Sequence, residues 1–307
     1  MKVAVLIPCY NEELSVAQVV RDFRAALPAA GIFVYDNNSK DRTVEIAREA
    51  GAVVRSEPLQ GKGNVVRRMF ADIEADVYVM VDGDATYHAP SAVAMIARLV
   101  DENLDMVVGT RLHTDEAGAF RRGHELGNHL LTGTVAWLFG DRFDDMLSGY
   151  RVFSRRFVKS FPALSKGFET ETELAVHALA LRMPVAEVET PYFARPPGSV
   201  SKLHTYRDGW RILVTIVKLL KEERPLFFFS AIFAALAALA VVLAAPVVVT
   251  YMETGLVPRF PTAILATGIM ILAFLSLSSG FVLDNVKHGR RETKRLAYLQ
   301  YRAPGAE

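Results

Sequence analysis

Two stretches without a single charged residue, Pro225 to Met252 and Phe260 to Leu283, constrain this chain more than any other feature of its sequence. Each exceeds the roughly 20 apolar residues that carry a helix across a bilayer. Core helices of soluble domains keep a polar face, and neither stretch has one, so two membrane spans are expected, at about 226–250 and 260–283 within a segment 225–284. The flanking charges set an orientation. Lys218, Lys221 and Arg224 precede the first span, Lys287, Arg290, Arg291, Lys294 and Arg295 follow the second, and the connecting loop holds only Glu253 and Arg259. Positive flanks stay cytoplasmic, so the long N-terminal part and a basic tail, 285–307, are both expected on the cytoplasmic side of an inner or plasma membrane.

Charge elsewhere is informative mainly by exclusion. A formal net charge of +1 without a basic stripe gives no nucleic-acid surface. The single Cys9 cannot form an internal disulfide and reads as a small buried residue in a reducing compartment. Met-Lys followed directly by a strand-like run is not the pattern of a signal peptide.

Ahead of the spans, short β-rich runs alternate with amphipathic segments. Strands are expected at Lys2 to Pro8, Ile32 to Asp36, Ala52 to Ser56, Val77 to Val81 and Asp105 to Gly109, with single helices between them. Such alternation implies right-handed crossovers and an α/β fold with a mainly parallel sheet. Beyond Arg111 the pattern gives way to a polar stretch, Leu112 to Gly123, that reads as a mobile loop. A helix at about Glu125 to Phe139, a strand at Ser148 to Ser154, a helix at Glu169 to Arg182 and a sheet-edge strand at Pro184 to Tyr192 follow. The catalytic domain is expected over 1–204. An amphipathic juxtamembrane helix is expected over 205–224, its apolar residues Trp210, Leu213, Ile216, Val217 and Leu220 lying opposite Arg207, Arg211, Lys218 and Lys221.

The chemistry is expected where the run Val77 to Val81 stops at Asp82-Gly-Asp84. Ligands of open α/β sheets collect beyond the carboxyl ends of strands, and two hard oxygen ligands there suit Mg²⁺ or Mn²⁺ shared with substrate phosphates. Gly61-Lys62-Gly63-Asn64 opens a helix whose N–H groups and lysine would favour phosphate, or is an ordinary glycine turn. Glu169, Glu171 and Glu173 do not share one helix face and read as structural or loop-anchoring. The seven histidines are scattered without zinc-like spacing, and Met69, Met80, Met95 and Met106 read as packing.

Seven short motifs occur in order: Ile7-Pro-Cys-Tyr-Asn-Glu-Glu13, Asp36-Asn-Asn-Ser-Lys-Asp41-Arg-Thr43, Gly61-Lys-Gly63, Asp82-Gly-Asp84, Gly109-Thr-Arg111, Ser148-Gly-Tyr-Arg151 and Arg195-Pro-Pro-Gly-Ser-Val-Ser-Lys202. Together they resemble the inverting glycosyltransferases of family two with a GT-A fold, and within these the polyprenyl-phosphate glycosyltransferases, such as dolichyl-phosphate mannose and glucose synthases and undecaprenyl-phosphate sugar transferases. The resemblance implies that Pro8, Tyr10, Glu12 and Asp36 hold the base and ribose of a nucleotide-sugar, with Lys62 and Asp82 nearby. It implies that Asp84, with Asp82 close behind, binds the Mg²⁺ or Mn²⁺ that bridges the donor diphosphate. It also implies that Arg195 and Lys202 close over that diphosphate, and that Arg111, with Arg121 or Arg122, receives the acceptor phosphate, so that Asp84, Arg111 and Arg122 form the catalytic set. Related enzymes are often homo-oligomers. Two departures stand out: Asn37 replaces the second acid usual beside Asp36, and Thr86 replaces a glutamine that follows the two aspartates in mannose synthases. The second favours a UDP-sugar over GDP-mannose.

The resemblance implies inverting transfer of one sugar to undecaprenyl or dolichyl phosphate, in glycan or lipopolysaccharide modification. The acceptor needs no general base, because a phosphate monoester has a second pKa near 6 and is largely a dianion at neutral pH. For Arg111 the alternative reading is a surface arginine in an ion pair. For the whole chain the alternatives are a processive polysaccharide synthase, against which stands the missing Gln-x-x-Arg-Trp motif, and a nucleotide-sugar-binding membrane scaffold without catalysis.

Overall fold

The computed structural model describes residues 1–113, 133–140, 143–167, 169–196 and 205–305, with the backbone alone for His113 and residues 205–213. Seven strands form one sheet, in the order β3-β2-β1-β4-β6-β5-β7. β1 (Val3–Cys9) pairs in parallel with β2 (Gly31–Asp36) and β4 (Val77–Met80), and β2 pairs in parallel with β3 (Val53–Ser56). The helices α1 (Val16–Ala26), α2 (Thr43–Glu49), α3 (Lys62–Asp72) and α4 (Ser91–Asp101) are the expected crossovers. They bury apolar stripes such as Val16, Val19, Val20 and Phe23 of α1, while β4 is buried at every position. This is the GT-A arrangement, with β7 (Val185–Tyr192) at the sheet edge as expected.

Beyond β4 the sheet departs from the alternating pattern. β5 (Met106–His113) and β7 are parallel, but β6 (Arg151–Ser154) lies between β4 and β5 and runs antiparallel to both, Met80 opposite Arg151. β6 thus enters from the end at which β1, β2 and β4 leave, which brings Ser148 to Tyr150 to the carboxyl edge of the sheet. Leu112 and His113, expected to open a mobile loop, end β5 instead, while 114–123 and most of the following expected helix lie outside the described residues. Of that helix, 133–139 is described and forms α5. α6 (Arg155–Ser160) was not anticipated. Ser154 caps it by accepting from Phe157 N–H, and Phe157 stacks between Phe153 and Phe161. α7 (Thr170–Ala180) precedes β7.

The chain divides into two compact units, Met1–Ile212 with Thr293–Glu307, and Leu213–Glu292. In the first, the end of the chain packs on the sheet's far edge, where Tyr298 donates to Asp105 Oδ2 at 2.9 Å. Asp105 is fully buried, accepts from Ser154 Oγ at 2.7 Å, and pairs with Arg156. Burial, with Asp105 beside it, pushes the Tyr298 hydroxyl up to about 12. In the second unit, α9 (Pro225–Thr254) ends at Gly255, whose φ of 69° is the left-handed cap that glycine accepts without penalty. α10 (Phe260–Leu299) returns alongside α9, with Ser276 Oγ donating to Phe229 O at 3.1 Å and Phe233 against Phe274. A Cβ on Gly280 would stand 3.0 Å from Phe229 Cβ, so glycine permits this close crossing. Val241, Val242, Phe274, Leu275, Phe281 and Val282 stay exposed, and both helices are long and apolar enough to cross a membrane. α8 (Thr205–Glu223) is helical as expected, whereas residues expected as a tail continue α10 to Leu299.

Candidate active site

The loops at the carboxyl edge are stitched to one another before any side chain faces a ligand. Asn11 has a φ of 52° and accepts from Lys40 N–H at 2.8 Å; its own N–H donates to Ser39 Oγ at 2.8 Å. Glu12 N–H donates to Thr43 Oγ1 at 2.8 Å, and the Asp36 carboxylate accepts from Ser39 N–H. The β1–α1 and β2–α2 turns are therefore one rigid piece. It carries Pro8, Tyr10 and the buried Glu12 and Asp36 together.

Asn37 explains its own departure from the family pattern. Its Nδ2 donates to Glu57 O at 2.9 Å and Leu59 O at 2.8 Å, and its Oδ1 accepts from Gly61 N–H at 2.7 Å. A carboxylate has no hydrogen to give those carbonyls. Asn37 holds the loop that ends at Gly61, a structural task.

That loop sets Lys62. A Cβ on Gly61 (φ 127°) would meet Lys166 O at 2.1 Å, and one on Gly63 would meet Ser165 O at 2.1 Å. The glycines are thus required by backbone crossing over the start of α3, rather than by a phosphate cradle. Lys62 Nζ lies 2.5 Å from Asp82 Oδ1 and 2.5 Å from Glu171 Oε1. Burial disfavours its charge, yet the two carboxylates outweigh that and hold its pKa above the usual lysine range. Glu173 anchors the crossing segment, accepting from Leu164 N–H at 2.9 Å and Ser165 N–H at 2.8 Å.

Beyond β4 the chain makes a strained turn at Ala85, φ 58°. The turn lets Thr86 donate to Asp84 Oδ1 through both its hydroxyl, at 2.6 Å, and its N–H, at 3.3 Å. Asp84 Oδ2 pairs with Arg195 at 2.7 Å. Burial, then the neighbouring Asp82, pushes the Asp84 carboxyl above the usual range, although Thr86 and Arg195 pull the other way. On the other side of Asp82, a Cβ on Gly149 would stand 2.3 Å from Oδ2. Gly149 N–H donates to Tyr87 Oη at 2.9 Å, and Tyr87 packs on Tyr150 and Tyr192.

Arg111, at the end of β5, lies 5.5 Å over the Tyr192 ring and makes a bidentate pair with Asp145, Nε to Oδ2 at 2.6 Å and Nη2 to Oδ1 at 2.8 Å. The pair is largely enclosed, its side chains 16% and 11% exposed. Burial works against the guanidinium charge, but Asp145 outweighs it and its pKa is raised. Glu187 holds the Asp145 loop by accepting from Asp144 N–H at 3.0 Å.

The structure therefore gathers Pro8, Tyr10, Glu12, Asp36, Lys62, Asp82, Asp84, Arg111 and Arg195 along one edge, while Arg121, Arg122 and Lys202 lie outside the described residues. Sequence reasoning missed Asp145, an acidic residue in a segment of no clear period, and read Glu171 as structural or loop-anchoring without its link to Lys62, because the partners of both lie far away in the chain. Among the described residues no cluster of three or more metal-type side chains forms a protein cage. The donor set at Asp84, one buried carboxylate with a second beside it, fits Mg²⁺ or Mn²⁺ completed by substrate phosphates and waters.

Residues 4–160 match the profile described as Glycosyl transferase family 2. Glycosyltransferase AglJ of Haloferax volcanii is 37% identical over 231 residues, 75% of this chain and 76% of that one. Dolichyl-phosphate hexose transferase of the same organism is 29% identical over 221 residues, 72% of this chain and 95% of that one. Among solved structures, glucosyl-3-phosphoglycerate synthase of Mycobacterium tuberculosis in complex with Mn²⁺, UDP-glucose and phosphoglyceric acid aligns at a TM-score of 0.57 and 21% identity, over 71% of this chain and 79% of that one; the likeness shows the fold. The motifs, the seven-stranded sheet and the family match agree, and the chain is a glycosyltransferase that belongs to glycosyl transferase family 2.

Proposed function

We propose that this enzyme transfers one sugar, with inversion, from a nucleotide-sugar to a polyprenyl phosphate at the cytoplasmic face of the membrane that α9 and α10 span. The observation that carries the reading is the joining, in one chain, of the paired acidic and basic edge around Asp84 with two helices whose apolar side chains remain exposed. A relative named dolichyl-phosphate hexose transferase, aligned over 72% of this chain, supports the acceptor class. Thr86 in the place of the mannose synthases' glutamine supports a UDP-sugar.

In this reading the turn bearing Pro8, Tyr10, Glu12 and Asp36 holds the nucleoside, and Asp84, backed by Asp82, holds the divalent cation. Bound there, the cation would neutralise the departing diphosphate. Arg195 leaves the Asp84 carboxylate to meet the donor diphosphate, and Lys62 keeps Asp82 in place. Arg111, its plane set by Asp145, aligns the acceptor phosphate with the anomeric carbon; positioning is the main requirement, since that oxyanion is already ionised. Arg122 or Arg121 and Lys202 complete the set, and a homo-oligomer in the membrane is expected.

The test is transfer of label from UDP- and GDP-sugars into organic-extractable lipid by purified protein with undecaprenyl or dolichyl phosphate and Mg²⁺ or Mn²⁺. Cation-dependent label in a mild-acid-labile lipid, lost in folded Asp84→Asn protein, is the expected result. Full activity of Asp84→Asn would remove the metal assignment, and donor binding without lipid labelling would remove the acceptor.

A further inference from the structure

The Lys62 cluster holds one atom that the fold does not satisfy. Glu171 is 4% exposed, and its Oε1 takes Lys62, but its Oε2 is buried with no hydrogen-bond partner among the described residues. A buried carboxylate oxygen without a donor is costly, and native proteins tolerate such an atom mainly where another molecule supplies the missing hydrogen. Its place is informative. A single ammonium separates the Glu171 carboxylate from Asp82, which itself neighbours Asp84. A purely structural counter-ion for Lys62 would need only the oxygen already used.

A carboxylate only accepts, so the missing partner is a donor, and a neutral one, because the cluster already holds its cation. A sugar hydroxyl fits both conditions. We infer that Glu171 is a specificity-determining residue that accepts a hydrogen bond, through Oε2, from one hydroxyl of the donor's sugar. Lys62 then serves two purposes, fixing Asp82 and fixing the rotamer of Glu171, so the sugar is read by a carboxylate whose position is set before the donor enters. This inference rests on the nucleotide-sugar reading above. Epimers at the hydroxyl that Glu171 reads are rejected because they leave Oε2 again without a partner; sites built this way discriminate strongly against analogues lacking the group.

The experiment compares binding of UDP, of the transferred UDP-sugar and of its monodeoxy analogues to full-length wild type, Glu171→Gln and Glu171→Asp, by calorimetry in detergent with Mg²⁺; GDP and its sugars replace these if GDP is the carrier. Loss of a hydrogen bond to a charged acceptor weakens binding by about 10- to 100-fold. The expected result is a loss of that size for the nucleotide-sugar in Glu171→Gln, with nucleotide alone changed less than about 3-fold. One deoxy analogue should lose as much with wild type and nothing further with the variant. Should Glu171→Gln fail to fold, Glu171→Asp, which keeps the charge for Lys62 but withdraws Oε2 by one methylene, should show the same selective loss. Equal losses for nucleotide and nucleotide-sugar, or additive losses at every deoxy position, overturn the inference and leave Glu171 as a Lys62 counter-ion. If wild type binds no nucleotide-sugar at all, the proposed function falls and takes this inference with it.

Discussion

Gly149→Ala tests whether the position of Asp82 matters to the reaction. The added Cβ would stand 2.3 Å from Asp82 Oδ2, 2.9 Å from Cγ and 3.1 Å from Oδ1. Ordinary carbon contacts begin near 3.5 Å, so the carboxylate must retreat by roughly 1 Å. Glu171 holds the same ammonium at 2.5 Å, so Lys62 cannot follow freely and the 2.5 Å Lys62–Asp82 contact is distorted. A misplacement of this size costs on the order of 100-fold in rate. Stability should change less. Overpacking costs about 1–3 kcal/mol, offset in part by about 0.4–1 kcal/mol from the stiffer unfolded chain. The assay is kcat/KM for lipid labelling beside thermal unfolding, with Gly268→Ala, where a Cβ meets nothing within 4 Å, as control. On an Asp82→Ala background the crowding partner is gone, so Gly149→Ala should cost no stability there. A rate within 3-fold of wild type in a well-folded Gly149→Ala protein would refute the claim that Asp82 must be held where it is.

His177 is buried against Phe157, Phe161 and Ser160, and burial, with Lys294 nearby, pushes its pKa down to about 3. A histidine depressed in the fold contributes stability above the usual value near 6.5 and loses that contribution as pH falls toward about 3; the difference in unfolding midpoint between His177→Leu and wild type should therefore move in the variant's favour across that window, and a constant difference would show that the ring protonates freely. Tyr298→Phe removes the hydroxyl that donates to the fully buried Asp105, a charged acceptor, so a loss of about 1.5–3 kcal/mol is expected. Thermal unfolding should show a drop of several degrees with turnover per folded molecule unchanged, and an unaltered midpoint would mean that the chain end is not docked in solution.

Features governed by local periodicity were legible in the sequence, and features governed by distant partners were not. The absence of charge marked both apolar helices, and alternating periods gave every strand through β5, because burial on a sheet face is written residue by residue. The antiparallel β6 was not legible, since its direction follows from the path taken between β5 and Ser148, and a run of apolar residues looks the same in either direction. Glycines 61 and 63 announced a special backbone but not its cause, which lies in Ser165 and Lys166 about a hundred residues away. The family pattern marked Asn37 as a loss, yet its amide supplies donors that the usual acid would lack. Asp145 and Glu171 carried no motif at all. Their importance comes from the cations they meet.

Those meetings share one logic. Lys62 is matched by Asp82 and Glu171, Arg111 by Asp145, and Arg195 by Asp84. Bare charges at the depth of Lys62 and Arg111 would be expensive, and the more exposed Arg195 is paired as well. On the proposed reading, binding is then an exchange of partners rather than capture by waiting charges. Asp84 would hold a divalent cation by giving up its 2.7 Å contact with Arg195, whose guanidinium would then meet the donor diphosphate. Each exchange costs Asp84 or Arg195 the 2.7 Å contact that they share, and the two together set an opposite charge against both. On that reading the pairing of Asp84 with Arg195 would couple metal binding to donor binding.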